Sequence, residues 1–335
     1  MKFNKTITFS LSLVTLFTIN SFASTDISKW NIPKEAPSPK NNKTTPQKVE
    51  LGKLLYFDKR LSKSGQVSCG TCHDPKKGWS DGIAKAVGVH GKVGSRNSPT
   101  VLNTGFQKHQ FWDGRERSLE AQALGPMQAD VEMGMKLDII LKIVKSKKGY
   151  LQMFKDAYPN EKLTMQTVAK AIASFERTVI SQESPFDLFI KGNNNAISAD
   201  AAMGFSLFKN KAACINCHDG FNFTDGSFHN IGLGDADIGR QVLKMKRKAW
   251  YGAMKTPTLR DITKSAPYFH DGSVKTLEEA VAICGNGGRF SDAKGKSPDI
   301  INRNLSNKDI YQITEFLKSL SGPDLPIIVP TVFPE

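Results

Sequence analysis

Cysteine, acidic residues and long apolar runs are all in short supply. Only five cysteines occur among 335 residues. Beyond residue 23 no segment reaches the roughly 20 apolar residues that a bilayer-spanning helix requires. No run of alternating polar and apolar residues calls for a large sheet, so a mainly helical chain is expected. Asp and Glu number 32 against 46 Lys and Arg, which leaves a formal charge of +14. Such a surplus keeps a surface soluble, and it also suits the steering of an acidic partner such as a small redox protein.

What is present begins with an address. Lys2 and Lys5 precede an apolar run from Ile7 to Ile19, and Ser21-Phe22-Ala23 places small residues where a signal peptidase reads. This predicts a cleaved signal peptide over 1–23 and a protein outside the cytoplasm, in the periplasm of a bacterium. No cysteine stands just after Ala23, so a lipid anchor is not expected. Removing Lys2 and Lys5 lowers the charge from +14 to +12. Neither nucleic acid nor membrane is an expected partner.

Four of the five cysteines fall in two copies of one pattern: Cys69-Gly70-Thr71-Cys72-His73 and Cys214-Ile215-Asn216-Cys217-His218. Thiols three positions apart can add to the two vinyl groups of one haem, and the adjoining histidine is placed to ligate its iron. Two C-x-x-C pairs could also close a zinc shell. That alternative leaves both histidines unexplained. Two covalent c-type haems are expected, held by Cys69, Cys72, Cys214 and Cys217, with His73 and His218 as proximal ligands.

Along the chain, 24–47 reads as an extended lead-in and 49–57 as a short helix. Trp79 is expected to pack against porphyrin. His90 lies between Gly88 and Gly91; it is either an exposed side chain or a sixth iron ligand on a hinge. An internal repeat then appears. Pro99-Thr100 recurs as Pro257-Thr258, Phe111-Trp112-Asp113-Gly114 as Phe269-His270-Asp271-Gly272, and Leu119-Glu120 as Leu277-Glu278, each displaced by 158 residues. Val168, Ile172, Phe175 and Val179 form one apolar face within 163–181. Gly192-Asn193-Asn194-Asn195 marks a boundary, giving haem domains over 24–191 and 192–335. Thr276 with Glu279 and Ser306 with Asp309 start two later helices, and Gly322-Pro323 ends the last. A proline-rich extended tail follows. The fold expected is mainly α with little β: two cytochrome c-like domains related by internal duplication.

Over 49–322 these residues resemble the bacterial di-haem cytochrome c peroxidase family, which includes the MauG oxidases. The markers are both C-x-x-C-H motifs, Arg96-Asn97-Ser98-Pro99-Thr100, Phe111-Trp112-Asp113-Gly114-Arg115, Val131-Glu132-Met133, Asp237-Ile238-Gly239-Arg240, Thr256-Pro257-Thr258-Leu259-Arg260 and Ala266-Pro267-Tyr268-Phe269-His270-Asp271-Gly272. Splitting peroxide needs a group that moves a proton between its two oxygens, and a carboxylate can do so. The resemblance assigns this to Glu132, with Gln122 orienting the peroxide at the first haem. It places Trp112 between the haems as an electron relay. It also implies a calcium ion held by the Asn97 side chain and the Ser265 and Pro267 carbonyl oxygens, and a homodimer.

The sequence departs from the family at two places. The loop carrying His90 is one residue shorter than in the peroxidase branch. Cys284 stands where peroxidases place a methionine ligand to the second haem and MauG a tyrosine. A lone cysteine there is either a small buried hydrophobe or a thiolate on the second iron. A thiolate favours ferric and higher iron, which makes that haem hard to reduce. The leading expectation is a periplasmic peroxidase reducing hydrogen peroxide with electrons from a small redox protein. The alternatives are a MauG-like oxidase that modifies a protein substrate through a high-valent di-haem state, and a di-haem electron carrier or redox sensor. His109 and His229 carry no assignment.

Overall fold

The computed structural model describes residues 27–243 and 248–335, so the expected signal peptide lies outside the described residues. Ten α-helices organise them: α1 (Pro46–Phe57), α2 (Cys69–Cys72), α3 (Leu119–Gln128), α4 (Leu137–Ser146), α5 (Lys148–Ala157), α6 (Met165–Glu176), α7 (Pro185–Ile190), α8 (Ala199–Lys209), α9 (Leu277–Gly285) and α10 (Asn307–Ser319). The only strands among the described residues are β1 (Phe228–His229) and β2 (Met254–Lys255), paired antiparallel with Phe228 opposite Lys255. A mainly helical protein is what the missing alternation predicts.

Helix starts follow side-chain chemistry. Thr45 accepts from the Lys48 N–H at 3.4 Å and Pro46 fixes the first turn, so α1 begins three residues before the apolar pattern at Val49. Thr164 and Thr167 cap α6 reciprocally, and Ser306 and Asp309 do the same for α10. The helical pattern over 163–181 shortens to α6, while Val179 stays buried just beyond it.

The helices enclose two cores. In the first, α1 crosses α6 so closely that a Cβ on Gly52 would lie 1.9 Å from the Ala171 carbonyl oxygen. In the second, α8 meets α10 in the same manner: a Cβ on Gly204 would lie 1.8 Å from the Gln312 carbonyl oxygen. Only glycine permits either crossing. Local geometry also recurs at the 158-residue displacement. Bridges join Gln110 to Glu116 and Tyr268 to Val274, and left-handed residues recur at Asn103 and Asp261 and at Phe111 and Phe269. Cap Ser118 opens α3, and cap Thr276 opens α9.

Packing departs from strict chain order. Phe186, Phe189 and Ile190 of α7 already belong to the second core, so the cores divide between Val179 and Phe186, ahead of the Gly192 loop. Trp30 of the lead-in inserts into the second core, 5.0 Å from Phe223 by ring centroid. In return Leu325, Ile327 and Phe333 of the extended tail pack on the first core. A glycine and asparagine cluster marks a loop, whereas core membership depends on contacts that only the folded chain makes.

Candidate functional site

Each C-x-x-C-H segment closes a tight turn in which the histidine N–H donates to the first cysteine's carbonyl, at 2.9 Å for His73 and 2.9 Å for His218. The imidazoles are oriented from behind. His73 Nδ1 lies 3.3 Å from the Trp79 carbonyl and His218 Nδ1 lies 2.8 Å from that of Phe223. A carbonyl only accepts, so each Nδ1 carries the proton and each Nε2 keeps its lone pair for a metal. Burial lowers both histidine pKa values, which favours the neutral ring. Trp79 and Phe223 reach these positions through left-handed backbone, φ 61° and 48°. Trp79 itself is buried beside Tyr56 and Phe175.

The two cysteine pairs belong to different cores, Cys69 packing on the first and Cys214 on the second. A shared four-thiol zinc shell is therefore excluded. The close trio of metal-ligating side chains among the described residues is Cys217, Asp225 and His229, within 4.8 Å of one another. It takes one thiol and neither turn histidine. Burial pushes Cys72 and Cys214 up to about 12, so both thiols stay protonated. Around the second turn lies a mostly apolar cavity of about 290 Å³ whose wall includes Cys214, Cys217, His218, Leu277, Val281 and Cys284. A neutral, backed imidazole and two thiols on an apolar wall are the donor set that a c-type haem uses.

Near the first centre, Glu132 sits in the turn after α3. Its backbone N–H donates to Ala129, and its carbonyl accepts from Val89 at 2.8 Å. The carboxyl is close enough to Cys69 and Cys72 to raise both thiol pKa values further. Burial raises the Glu132 pKa, and Arg115 partly opposes that rise. Gln122 is half-buried on α3. The His90 loop lies against this turn, since a Cβ on Gly88 would approach the Val131 carbonyl to 2.2 Å. His90 adopts φ 58° and its side chain is exposed.

Between the halves lies Trp112. Its Nε1–H donates to the Asn97 carbonyl at 2.9 Å, its own carbonyl accepts from Lys255 N at 2.7 Å, and its ring is 6.3 Å from that of His270. Asn97 N donates to the His270 carbonyl at 2.7 Å. Trp112 is thus held through its indole by the first half and through its main-chain carbonyl by the second. Asn97 Nδ2 donates to Ile83 O at 2.8 Å, which leaves Oδ1 for another partner; Asn97, Ser265 and Pro267 all border the cavity. Cys284, on α9, is pushed up to about 12 by burial, with Cys217 adding to the effect. It therefore bears a thiolate only where a cation meets it.

Residues 46–195 match the family model for di-haem cytochrome c peroxidase, and residues 201–321 match that for cytochrome c. The chain is 41% identical over 305 residues to methylamine utilization protein MauG of Methylorubrum extorquens, covering 90% of this chain and 86% of that protein. It belongs to the di-haem cytochrome c peroxidase family. Cytochrome c551 peroxidase of Nitrosomonas europaea is 36% identical over 337 residues, 97% of this chain and 96% of that one. The crystal structure of a MauG-like protein associated with microbial copper homeostasis superposes with a TM-score of 0.80 at 29% identity, over 87% of this chain and 95% of that one.

As a member of this family the protein is an oxidoreductase with two c-type haems. Relatives of both the peroxidase and the MauG kind are equally part of it. Two neighbours of the site were missed in the sequence. Lys255 beside Trp112 carries no motif that marks burial. His270 was visible as the counterpart of Trp112 in the repeat, but its place against the indole was not. Of the unassigned histidines, His229 pairs with Asp225 at 2.8 Å, and the His109 ring stands 5.3 Å from Phe228.

Proposed function

We propose that the protein is a periplasmic peroxidase that reduces hydrogen peroxide to water at its first centre, drawing electrons from a small redox protein through its second. The observation that carries this reading is Glu132, a carboxyl half-removed from water within electrostatic reach of Cys69 and Cys72. Two c-type haems, when bound, supply the iron that takes a peroxide oxygen and the route for electrons. Peroxide needs two electrons and two protons to leave as two waters. Glu132 accepts the proton of the oxygen entering the first centre and returns it to the far oxygen, which departs as water. Gln122 holds the peroxide for that transfer. Trp112, bonded into both halves, relays electrons between the centres. Asn97, Ser265 and Pro267 supply oxygens for a calcium ion that stiffens this junction. His90, exposed on its loop, takes no step.

Steady-state turnover of peroxide with reduced cytochrome c tests the reading. Wild type is expected to turn over rapidly, and Glu132→Gln to lose about 100-fold or more. A second reading, a MauG-like oxidase acting on a protein substrate, is favoured by Cys284 on the wall of the second centre and by the MauG relatives. Rapid reaction with peroxide followed by a long-lived oxidised protein and negligible turnover would replace the first reading with the second.

A further inference from the structure

Lys255 ends β2 on the wall of the cavity that holds Cys214, Cys217 and His218. Its peptide N–H donates to the Trp112 carbonyl at 2.7 Å, which fixes the residue where the halves meet. The Nζ donates to Gln107 Oε1, a neutral acceptor. Among the described residues no carboxylate lies within ion-pair distance of it.

Other basic side chains share this wall. His229 meets Asp225 Oδ2 at 2.8 Å, burial favours the neutral ring of His270, and Arg303 donates to the Asp299 carbonyl through an exposed hydrogen bond, where water screens its charge. An ammonium taken from water without an anion is strongly disfavoured. Burial alone lowers the Lys255 pKa to about 8, and no neighbouring charge opposes that fall. Lys255 is half-buried and lines the cavity, which is where a counter-ion can reach it. Both faces of a porphyrin suit the apolar wall, and its two carboxylates are the anions that enter with it.

We infer that Lys255 binds a propionate carboxylate of the second haem and sets the charge that this haem feels. The inference rests on the di-haem reading above. A free oxyanion such as phosphate offers the same chemistry, and the test separates the two.

The experiment uses the purified holoprotein, as wild type, Lys255→Gln and Lys255→Arg. Resonance Raman spectra report the propionate bending bands, and spectroelectrochemistry reports the second midpoint potential. Lys255→Gln is expected to retain two haems, to shift the propionate bands, and to lower the second midpoint, because a cation that favours ferrous iron is gone. That midpoint is also expected to become pH-dependent across the carboxylate range, and Lys255→Arg to restore it. Two haems with unchanged bands and midpoint in Lys255→Gln would overturn the inference, as would phosphate binding to wild type that is lost in Lys255→Gln and leaves the propionate bands unmoved. If Lys255→Gln does not accumulate, Lys255→Met decides in its place: shifted propionate bands support the contact and unchanged bands refute it, while Lys255→Arg should stay close to wild type. Fewer than two haems in wild type would instead sink the reading beneath.

Discussion

The side chains that matter most are defined by what stands behind them. His73 and His218 each spend Nδ1 on a backbone carbonyl, so only Nε2 can face a metal. Glu132 is defined by partial burial against the opposing charge of Arg115. In the proposed mechanism its carboxylate is the proton acceptor, and burial holds its pKa above the ordinary carboxylate value. The rate of reaction with peroxide is therefore expected to rise with pH through that raised pKa. Arg115 holds the pKa down, so Arg115→Gln should move the rise to higher pH, and Glu132→Gln should abolish it. Stopped-flow absorbance across a pH series checks this; an unmoved profile in Arg115→Gln would count against the coupling. At this scale the sequence was highly legible for the C-x-x-C-H turns, whose spacing is their chemistry. It left two readings for His90, because a histidine between glycines is compatible with exposure or with ligation.

Among the helices, caps and apolar spacing were legible in advance, while burial of particular charges was not. Glu176, the last residue of α6, shows why. It extends an apolar face as an ordinary surface acid would, yet it is 6% exposed, and its Oε2 has no hydrogen-bond partner. Burial pushes its pKa up to about 8, against a partial opposing effect of Arg177. The folded state thus holds the proton more tightly than the unfolded chain. Stability is greatest below the unfolded value, near 4.5, and falls as pH rises toward 8, by up to about 1.4 kcal/mol per pH unit. Glu176→Gln has no such charge to bury. Its melting temperature should gain on wild type between pH 5 and 8, measured by calorimetry or circular dichroism. A gap that stays constant with pH would show that Glu176 is not titrating in this window.

The molecule as a whole is two helical cores exchanging their ends, joined around Trp112. Arg96 ties the halves, with Asp113 at 2.6 Å on one side and Asp237 at 2.7 Å on the other. The 158-residue recurrence made the paired architecture readable, because a repeated motif brings its turn and cap with it. Trp30 entering the second core and the tail returning to the first left no such trace, since neither contact has a local pattern. No helix of the described residues is long and apolar enough to cross a membrane. Cys284 lies on the wall of the second centre, and we propose that it ligates the second iron. Electron paramagnetic resonance of the resting protein and of Cys284→Ala tests that point most directly. The substitution is expected to remove the low-spin ferric signal of the second haem and to leave a high-spin one in its place. An unchanged low-spin signal in Cys284→Ala would contradict that ligation.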